Sequence, residues 1–103
     1  MQDRVNLIGA GADVTIIDGG GGEFVVVGSD NSSISGFTIK NGDYGVELFR
    51  STSFTINRNI ISNNTGPGIL CLGATTTIMN NVIVSNTVHR QSEGNEVVIG
   101  AFR

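Results

Sequence analysis

Carboxylates are the side chains of this sequence best suited to chemistry, because they can act as general acids, general bases or calcium ligands. The candidates are Asp18, Asp30, Asp43 and Glu47. Calcium takes roughly six to eight oxygen ligands, and no two of these residues are adjacent in one strand, so the sequence does not support a Ca²⁺ site and no cofactor is expected. An inverting glycosidase needs an acid and a base flanking the bond. Asp43 and Glu47 are therefore weak catalytic candidates, because Asp43 has no evident partner.

Candidate bases and nucleophiles are also sparse. His89 lies in the longest predicted loop, where scaffold proteins often carry function, and it is a third weak catalytic candidate. Arg50 and Arg58 are poor bases because a guanidinium group keeps its proton. Cys71 has no second cysteine to pair with, and its alternation with Ile69 predicts a small, buried, apolar side chain.

A repeat of 22 residues must position these side chains. It places Ile34, Ile56 and Ile78 in one apolar row and Ile39, Ile61 and Ile83 in a second. Polar residues close each copy in two further rows, Asn41, Asn63, Ser85 and Gly42, Asn64, Asn86. A fixed period of this length is the signature of a solenoid.

Each copy contains two short strands separated by a tight bend, and a third strand after a loop of variable length. The bends are Ser35-Gly36, Asn57-Arg58 and Met79-Asn80, and the third strands are residues 46–48, 69–72 and 97–99. Strands this short are not stable in isolation, so each one must pair with the same strand of the next copy, parallel and in register, at about 4.8 Å per coil. Asn59 above Asn81 would then pair amide with amide along the stack.

The pattern predicts an all-β protein, a single-stranded parallel β-helix of about four coils with little or no helix. Fifteen glycines and one proline suit its many turns. We expect one domain over residues 1–103, either whole or as a fragment of a longer solenoid. The net charge of −3, without a basic cluster, argues against nucleic acid and against a polybasic membrane site, and no apolar run approaches the ~20 residues of a membrane span.

The stretches 5–11 and 14–19, followed by the repeats, resemble the right-handed parallel β-helix of pectate lyases, polygalacturonases and NosD-like carbohydrate-associated repeat proteins. The resemblance implies right-handed coils, a carbohydrate ligand and an extracellular or periplasmic location, although no signal peptide precedes Val5. Polygalacturonases carry paired aspartates before a third strand and Gly-His-Gly one copy later. Here Tyr44 follows Asp43, and the later motif is Gly66-Pro67-Gly68, so the groups that hydrolysis needs are missing.

We therefore predict a non-catalytic carbohydrate-associated or scaffold module whose contact residues are Asp43, Tyr44, Glu47 and Arg50. One alternative is a subunit or fragment of a polysaccharide lyase, hydrolase or epimerase. Another is a purely structural self-assembling repeat protein.

Strand alternation predicts which residues point outward. On the third strands these are Val26, Glu47, Leu70 and Val98, and on the second strands they include Ile60 and Val82. Both faces are unusually apolar, and a contiguous apolar patch commonly marks an interface. We therefore expect a homo-oligomer that buries Val26, Leu70, Val98, Ile60 and Val82.

Overall fold

Short β-strands separated by turns make up the described part of the chain. The computed structural model describes residues 1–50, 52–87 and 96–99, with the backbone alone for 96–98. None of these residues is helical. The strands are β1 (Asn6–Ile8), β2 (Ile16–Asp18), β3 (Phe24–Val27), β4 (Ser33–Ser35), β5 (Thr38–Lys40), β6 (Tyr44–Phe49), β7 (Phe54–Asn57), β8 (Ile60–Ser62), β9 (Ile69–Leu72), β10 (Thr76–Met79), β11 (Val82–Val84) and β12 (Glu96–Ile99).

The strands form three four-stranded sheets that together wind into a parallel β-helix. The orders are β1-β4-β7-β10 for the first sheet, β2-β5-β8-β11 for the second and β3-β6-β9-β12 for the third. Every third strand along the chain therefore returns to the same sheet, which gives three complete coils and two strands, β10 and β11, of a fourth. The predicted solenoid is confirmed, with a coil count slightly below four.

Identical aliphatic side chains stack inside the coils. Ile34 pairs with Ile56 and Ile56 with Ile78 in the first sheet, while Ile39, Ile61 and Ile83 align in the second. All but Ile78 are completely buried. Branched side chains of one shape pack in one rotamer along the stack, so a single residue type at one repeat position builds the core.

The tight bend between the first two strands of each coil requires a left-handed backbone. Gly36, Arg58 and Asn80 occupy the equivalent positions with φ of 80°, 58° and 58°. Glycine and asparagine tolerate this region best, and arginine adopts it here with a hydrogen bond from the Gly36 N–H to the Arg58 carbonyl, 3.1 Å. The bend predicted from sequence is therefore present in all three copies, including the copy with arginine.

Buried asparagines link successive coils, but through different partners from those predicted. The Asn59 side chain donates to the Ile34 carbonyl (3.0 Å) and accepts from the Phe37 N–H (3.1 Å). Asn81 repeats both bonds one coil later, to the Ile56 carbonyl (2.8 Å) and from the Asn59 N–H (2.9 Å). The predicted amide-to-amide pairing is wrong, because the main chain of the neighbouring coil offers both a donor and an acceptor within reach.

The last strand of the third sheet runs opposite to the prediction. β12 pairs with β9 in the antiparallel direction, with Val98 opposite Leu70. An edge strand offers its N–H and C=O groups to a strand arriving from either direction. β12 therefore completes the third sheet at the β9 edge without adding a parallel strand.

Candidate functional site

The four predicted carbohydrate contacts follow one strand of the third sheet. Asp43 directly precedes β6, Tyr44 begins it, Glu47 lies within it and Arg50 directly follows it. Asp43 and Arg50 are separated by seven residues, which at about 3.3 Å per residue is on the order of 20 Å. The structure thus places the four residues along a line, so Asp43 and Arg50, at its two ends, cannot share one compact site.

Asp43 forms hydrogen bonds to the loops of both neighbouring coils. Its carboxylate accepts a short hydrogen bond from the Thr65 hydroxyl, and its carbonyl accepts the Gly66 N–H at 2.6 Å. Its own N–H donates to the Gly22 carbonyl at 2.9 Å. These bonds join the corresponding loops of three successive coils, so Asp43 acts as a turn residue rather than as an available acid.

Tyr44 forms a tilted aromatic pair with Phe24. Its ring centroid lies 5.3 Å from that of Phe24, with the planes tilted by 31°. Phe24 and Tyr44 are aligned in the register of β3 and β6, and both are half-buried. Phe24 was not among the residues predicted from the sequence, although it precedes Val26 at the same offset at which Tyr44 precedes Val46.

Glu47 is an almost buried carboxylate on the outer face of the third sheet. Its register neighbours are Val27 on one side and Leu70 on the other, and 9% of the residue is exposed. Burial, and secondarily the nearby Glu23, raises the pKa of Glu47 above its ordinary value. Both effects disfavour the charged form of the Glu47 carboxylate.

Arg50 places a positive charge at the far end of β6. Its backbone is left-handed, with φ of 54°, and its N–H donates to the Leu72 carbonyl at 2.8 Å. The guanidinium carbon lies 5.1 Å from the centroid of the Phe49 ring, which is mostly exposed. This cation–π pair is a surface feature remote from Tyr44.

The predicted apolar row on the third sheet needs two corrections. Val26 pairs with Val46 and lies in the core, while Val27 is the outward residue beside Glu47. Leu70 does point outward but is only 3% exposed within a single chain, so it offers no free surface. The backbone of Val98 aligns with Leu70, and its side chain, like all of His89, lies outside the described residues.

The predicted row on the second sheet is open to solvent. Ile16, Thr38, Ile60 and Val82 are aligned in register. Ile16 and Val82 are exposed, and Ile60 is half-buried. The outward orientation of Ile60 and Val82 is therefore as predicted, and their burial in an oligomer stays a prediction.

The other two candidate carboxylates, Asp18 and Asp30, accept hydrogen bonds in the turns. Asp18 accepts the Gly20 N–H at 2.8 Å and the Asn41 side-chain amide at 3.1 Å. The Gly20 N–H first, and then the Asn41 amide, lower the pKa of Asp18. Asp30 accepts the Thr52 N–H at 2.8 Å. Within residues 1–50, 52–87 and 96–99, no three His, Cys, Asp or Glu side chains are grouped as metal ligands.

Cys71 is part of the core and not of a site. It is 4% exposed and aligned with Leu48 of the preceding coil. Burial raises the pKa of its thiol, a shift opposed by a contact with the Thr76 hydroxyl at 3.8 Å. A buried thiol with a raised pKa is a weak nucleophile, as the sequence predicted.

A polar groove of about 440 Å³ runs across the outer face of the first sheet. Small hydroxyl and amide side chains line it, and the Ser33 hydroxyl donates to the Asn6 amide oxygen at 2.8 Å. The lining residues are Asn6, Ile8, Asn31, Ser32, Ser33, Ser35, Ser53 and Thr55. None of these lining residues is charged.

Comparison with known proteins bears on the fold. A family model described as "Right handed beta helix region" matches residues 11–100. Comparison with curated proteins gives no match, and comparison with solved structures gives none. No helix long and apolar enough to cross a membrane occurs in the part of the chain that the structure describes.

Proposed function

Because the chain belongs to the right-handed β-helix family, we propose that it is a non-catalytic module that binds carbohydrate along the outer side of β3 and β6. The proposal rests on one observation, the tilted pair of aromatic rings formed by Phe24 and Tyr44. Aromatic rings that are partly exposed and held in place by a rigid sheet offer a flat apolar platform to the C–H face of a sugar ring. Polar groups beside the platform, here Glu23 and Glu47, supply hydrogen-bond acceptors for hydroxyl or amino groups.

A binding screen against soluble polysaccharides tests the proposal directly. Retardation in gels that contain neutral, acidic or amino polysaccharides should identify at least one ligand, and Tyr44→Ala should reduce the retardation strongly. Loss of one stacked ring costs about 1 kcal/mol or more beyond the area buried, which corresponds to a several-fold weaker affinity. Phe49→Ala is the matched control, because it removes another partly exposed ring of β6 at the opposite end of the strand. Equal binding by wild type and Tyr44→Ala would exclude the platform.

The enzymatic alternative needs a second carboxylate within reach of Asp43 or Glu47. The Asp43 carboxylate is engaged by Thr65, and Glu23 is the acid whose charge reaches Glu47. A lyase, hydrolase or epimerase activity would therefore have to use the Glu23 and Glu47 carboxylates or groups supplied by another chain or another segment. Release of reducing ends or of unsaturated products from the polysaccharide found in the screen distinguishes this alternative from binding alone.

Self-association is a second candidate property, and the first coil supports it better than the predicted outer faces. Leu7 occupies the same inward row as the fully buried Ile34, yet it is 40% exposed. All three residues of β1 are exposed, and among the described strands β1 pairs only with β4. A strand edge with free N–H and C=O groups, beside exposed apolar side chains, favours pairing with another chain, and we propose a second copy as that partner.

A further inference from the structure

Glu47 lacks the partner that a buried carboxylate normally has. It is 9% exposed, and within the described residues its side chain accepts no hydrogen bond and forms no ion pair. Charged groups are almost never buried without a partner, because removing them from water is costly. The neighbouring side chains Val27 and Leu70 are apolar and cannot compensate. The oxygens of the Glu47 carboxylate, which are strong hydrogen-bond acceptors, are therefore left without a donor from the described residues.

A second carboxylate adds negative charge to the site. Glu23 has the same sign as Glu47 and disfavours its ionised form. Two carboxylates that lie close together disfavour each other's ionised form. One of them then holds a proton, or a cation bound between them relieves the repulsion. Calcium is a poor match, since it requires roughly six to eight oxygen ligands and no group of three metal-binding acids or histidines is present among the described residues. A single positive charge with hydrogen-bond donors matches the site better.

The aromatic pair also favours a ligand with a positive charge. Phe24 directly follows Glu23 in the chain, and Tyr44 lies three residues before Glu47 on β6. Their ring centroids lie 5.3 Å apart with the planes tilted by 31°, and both residues are partly exposed, so the pair forms a two-ring surface close to two carboxylates. The faces of aromatic rings attract cations, and an ammonium group donates up to three hydrogen bonds to carboxylate oxygens. Rings and acids together favour a ligand that combines an apolar sugar face with a positive charge.

We propose that this site binds a glycan that carries free amino groups, a polymer of the glucosamine type, with its ammonium group paired to Glu47 and its ring on Phe24 and Tyr44. The proposal rests on the carbohydrate-binding function proposed above and narrows its ligand class. An acidic glycan would meet Glu23 and Glu47 with charges of the same sign, on a protein whose net charge is −3. An uncharged glycan would leave the Glu47 carboxylate unpaired.

Calorimetric titration with two matched probes tests the proposal. A soluble oligomer of β-1,4-linked glucosamine, protonated on its amines, should bind at least about tenfold more tightly than the N-acetylated oligomer of the same length. Glu47→Gln should remove this preference, because truncating one partner of a buried charge pair weakens binding by well over tenfold. Asp13→Asn, which removes the same charge from an exposed position elsewhere, should leave the preference intact.

The outcomes separate this inference from the proposed function. If both oligomers bind with equal affinity, or if Glu47→Gln keeps the preference, the amino-glycan inference is wrong while carbohydrate binding stands. If no glycan of any charge binds, both are wrong. Thermal unfolding of each variant, monitored by circular dichroism, confirms that a lost preference does not reflect a lost fold.

Discussion

Glu47 and Asp18 show how the setting of a single carboxylate determines its effect on stability. Burial raises the pKa of Glu47, so the folded state holds the proton more tightly than the unfolded state. The stability that results is fully present below the ordinary pKa and is lost as the pH rises through the folded pKa. Glu47→Gln, which keeps the shape and removes the charge, should therefore increase the free energy of unfolding at neutral pH and change it little at acidic pH. Urea unfolding at both pH values measures the difference.

Asp18 provides a control of opposite sign. Hydrogen bonds from the Gly20 N–H and the Asn41 amide lower its pKa, so its contribution is present above the ordinary pKa and is lost as the pH falls through the folded pKa. Asp18→Asn should decrease the stability at neutral pH and have little effect in acid. If the two variants shift the stability in the same direction at neutral pH, the assignment of burial to one and of hydrogen bonding to the other is wrong.

Asn59 makes the strongest case for a single polar side chain that supports the stack. It is 1% exposed and bonds the Ile34 carbonyl and the Phe37 N–H. Asn59→Ala would leave both groups buried without partners, at a cost of about 1–3 kcal/mol each. We expect a loss of roughly 2–6 kcal/mol in the free energy of unfolding, measured by urea titration. Asn57→Ala is the control, because its contact with Asn80 (3.3 Å) is exposed, and it should cost less than about 1 kcal/mol.

At the scale of elements, the contact between the first and second coils depends on glycine. Gly36 has φ of 80°, and a Cβ there would lie 2.5 Å from the Gly9 carbonyl oxygen, a backbone atom that cannot move away cheaply. Gly20 also has a positive φ, of 60°, but a Cβ there would meet nothing within 4 Å. Gly20→Ala should therefore cost only the left-handed strain of about 1–2 kcal/mol.

Gly36→Ala should cost that strain plus an overpacking term of about 1–3 kcal/mol. Equilibrium unfolding of Gly20→Ala and Gly36→Ala separates the strain from the overpacking. Both variants have the backbone strain, but only Gly36→Ala places a Cβ against the Gly9 carbonyl oxygen. Equal losses would mean that the first coil is not held against the second at Gly36. A separate melting of the first coil in Gly36→Ala, seen as an early phase, would support its role as the junction.

The elements that could be predicted from sequence are those in which one residue type repeats at one position. Ile34, Ile56 and Ile78 define the register of the first sheet, and the bend residues Gly36, Arg58 and Asn80 follow from the same spacing. The prediction was wrong where alternation within a strand is broken. Val25 and Val26 both pack toward the core, so the outward position falls on Val27 and not on Val26.

The candidate site was harder to predict because its properties arise between coils. Tyr44 and Glu47 were identified from their own strand, but Phe24 is separated from Tyr44 by twenty residues in the sequence and joins it only through the register of β3 and β6. The burial of Glu47 depends on Leu70 and Val27 in the neighbouring coils. The direction of β12 could not be predicted either, because an edge strand accepts a partner in either direction and the alternation of the strand residues is the same in both.

At the scale of the whole molecule, one end of the stack should govern association. The first coil exposes Val5, Leu7, Ile8, Val14 and Ile16. Leu7→Lys places a charge in this coil, while Val82→Lys places one on the outer face of the second sheet at an equal starting exposure, 40% against 41%. We expect light scattering over a range of concentrations to show an oligomer for wild type and for Val82→Lys, and a monomer for Leu7→Lys.

The opposite pattern would assign the interface to the outer face of the second sheet, where Ile60 and Val82 lie. A wild-type monomer at every concentration would exclude self-association through either surface.

Because an interface at the end of the stack adds strands to the sheets, it leaves the outer side of β3 and β6 free. An oligomer formed through the first coil should therefore bind glycan with one site per chain, and a Leu7→Lys monomer should keep the affinity of the wild type. A loss of affinity in that monomer would show that the glycan site spans two copies.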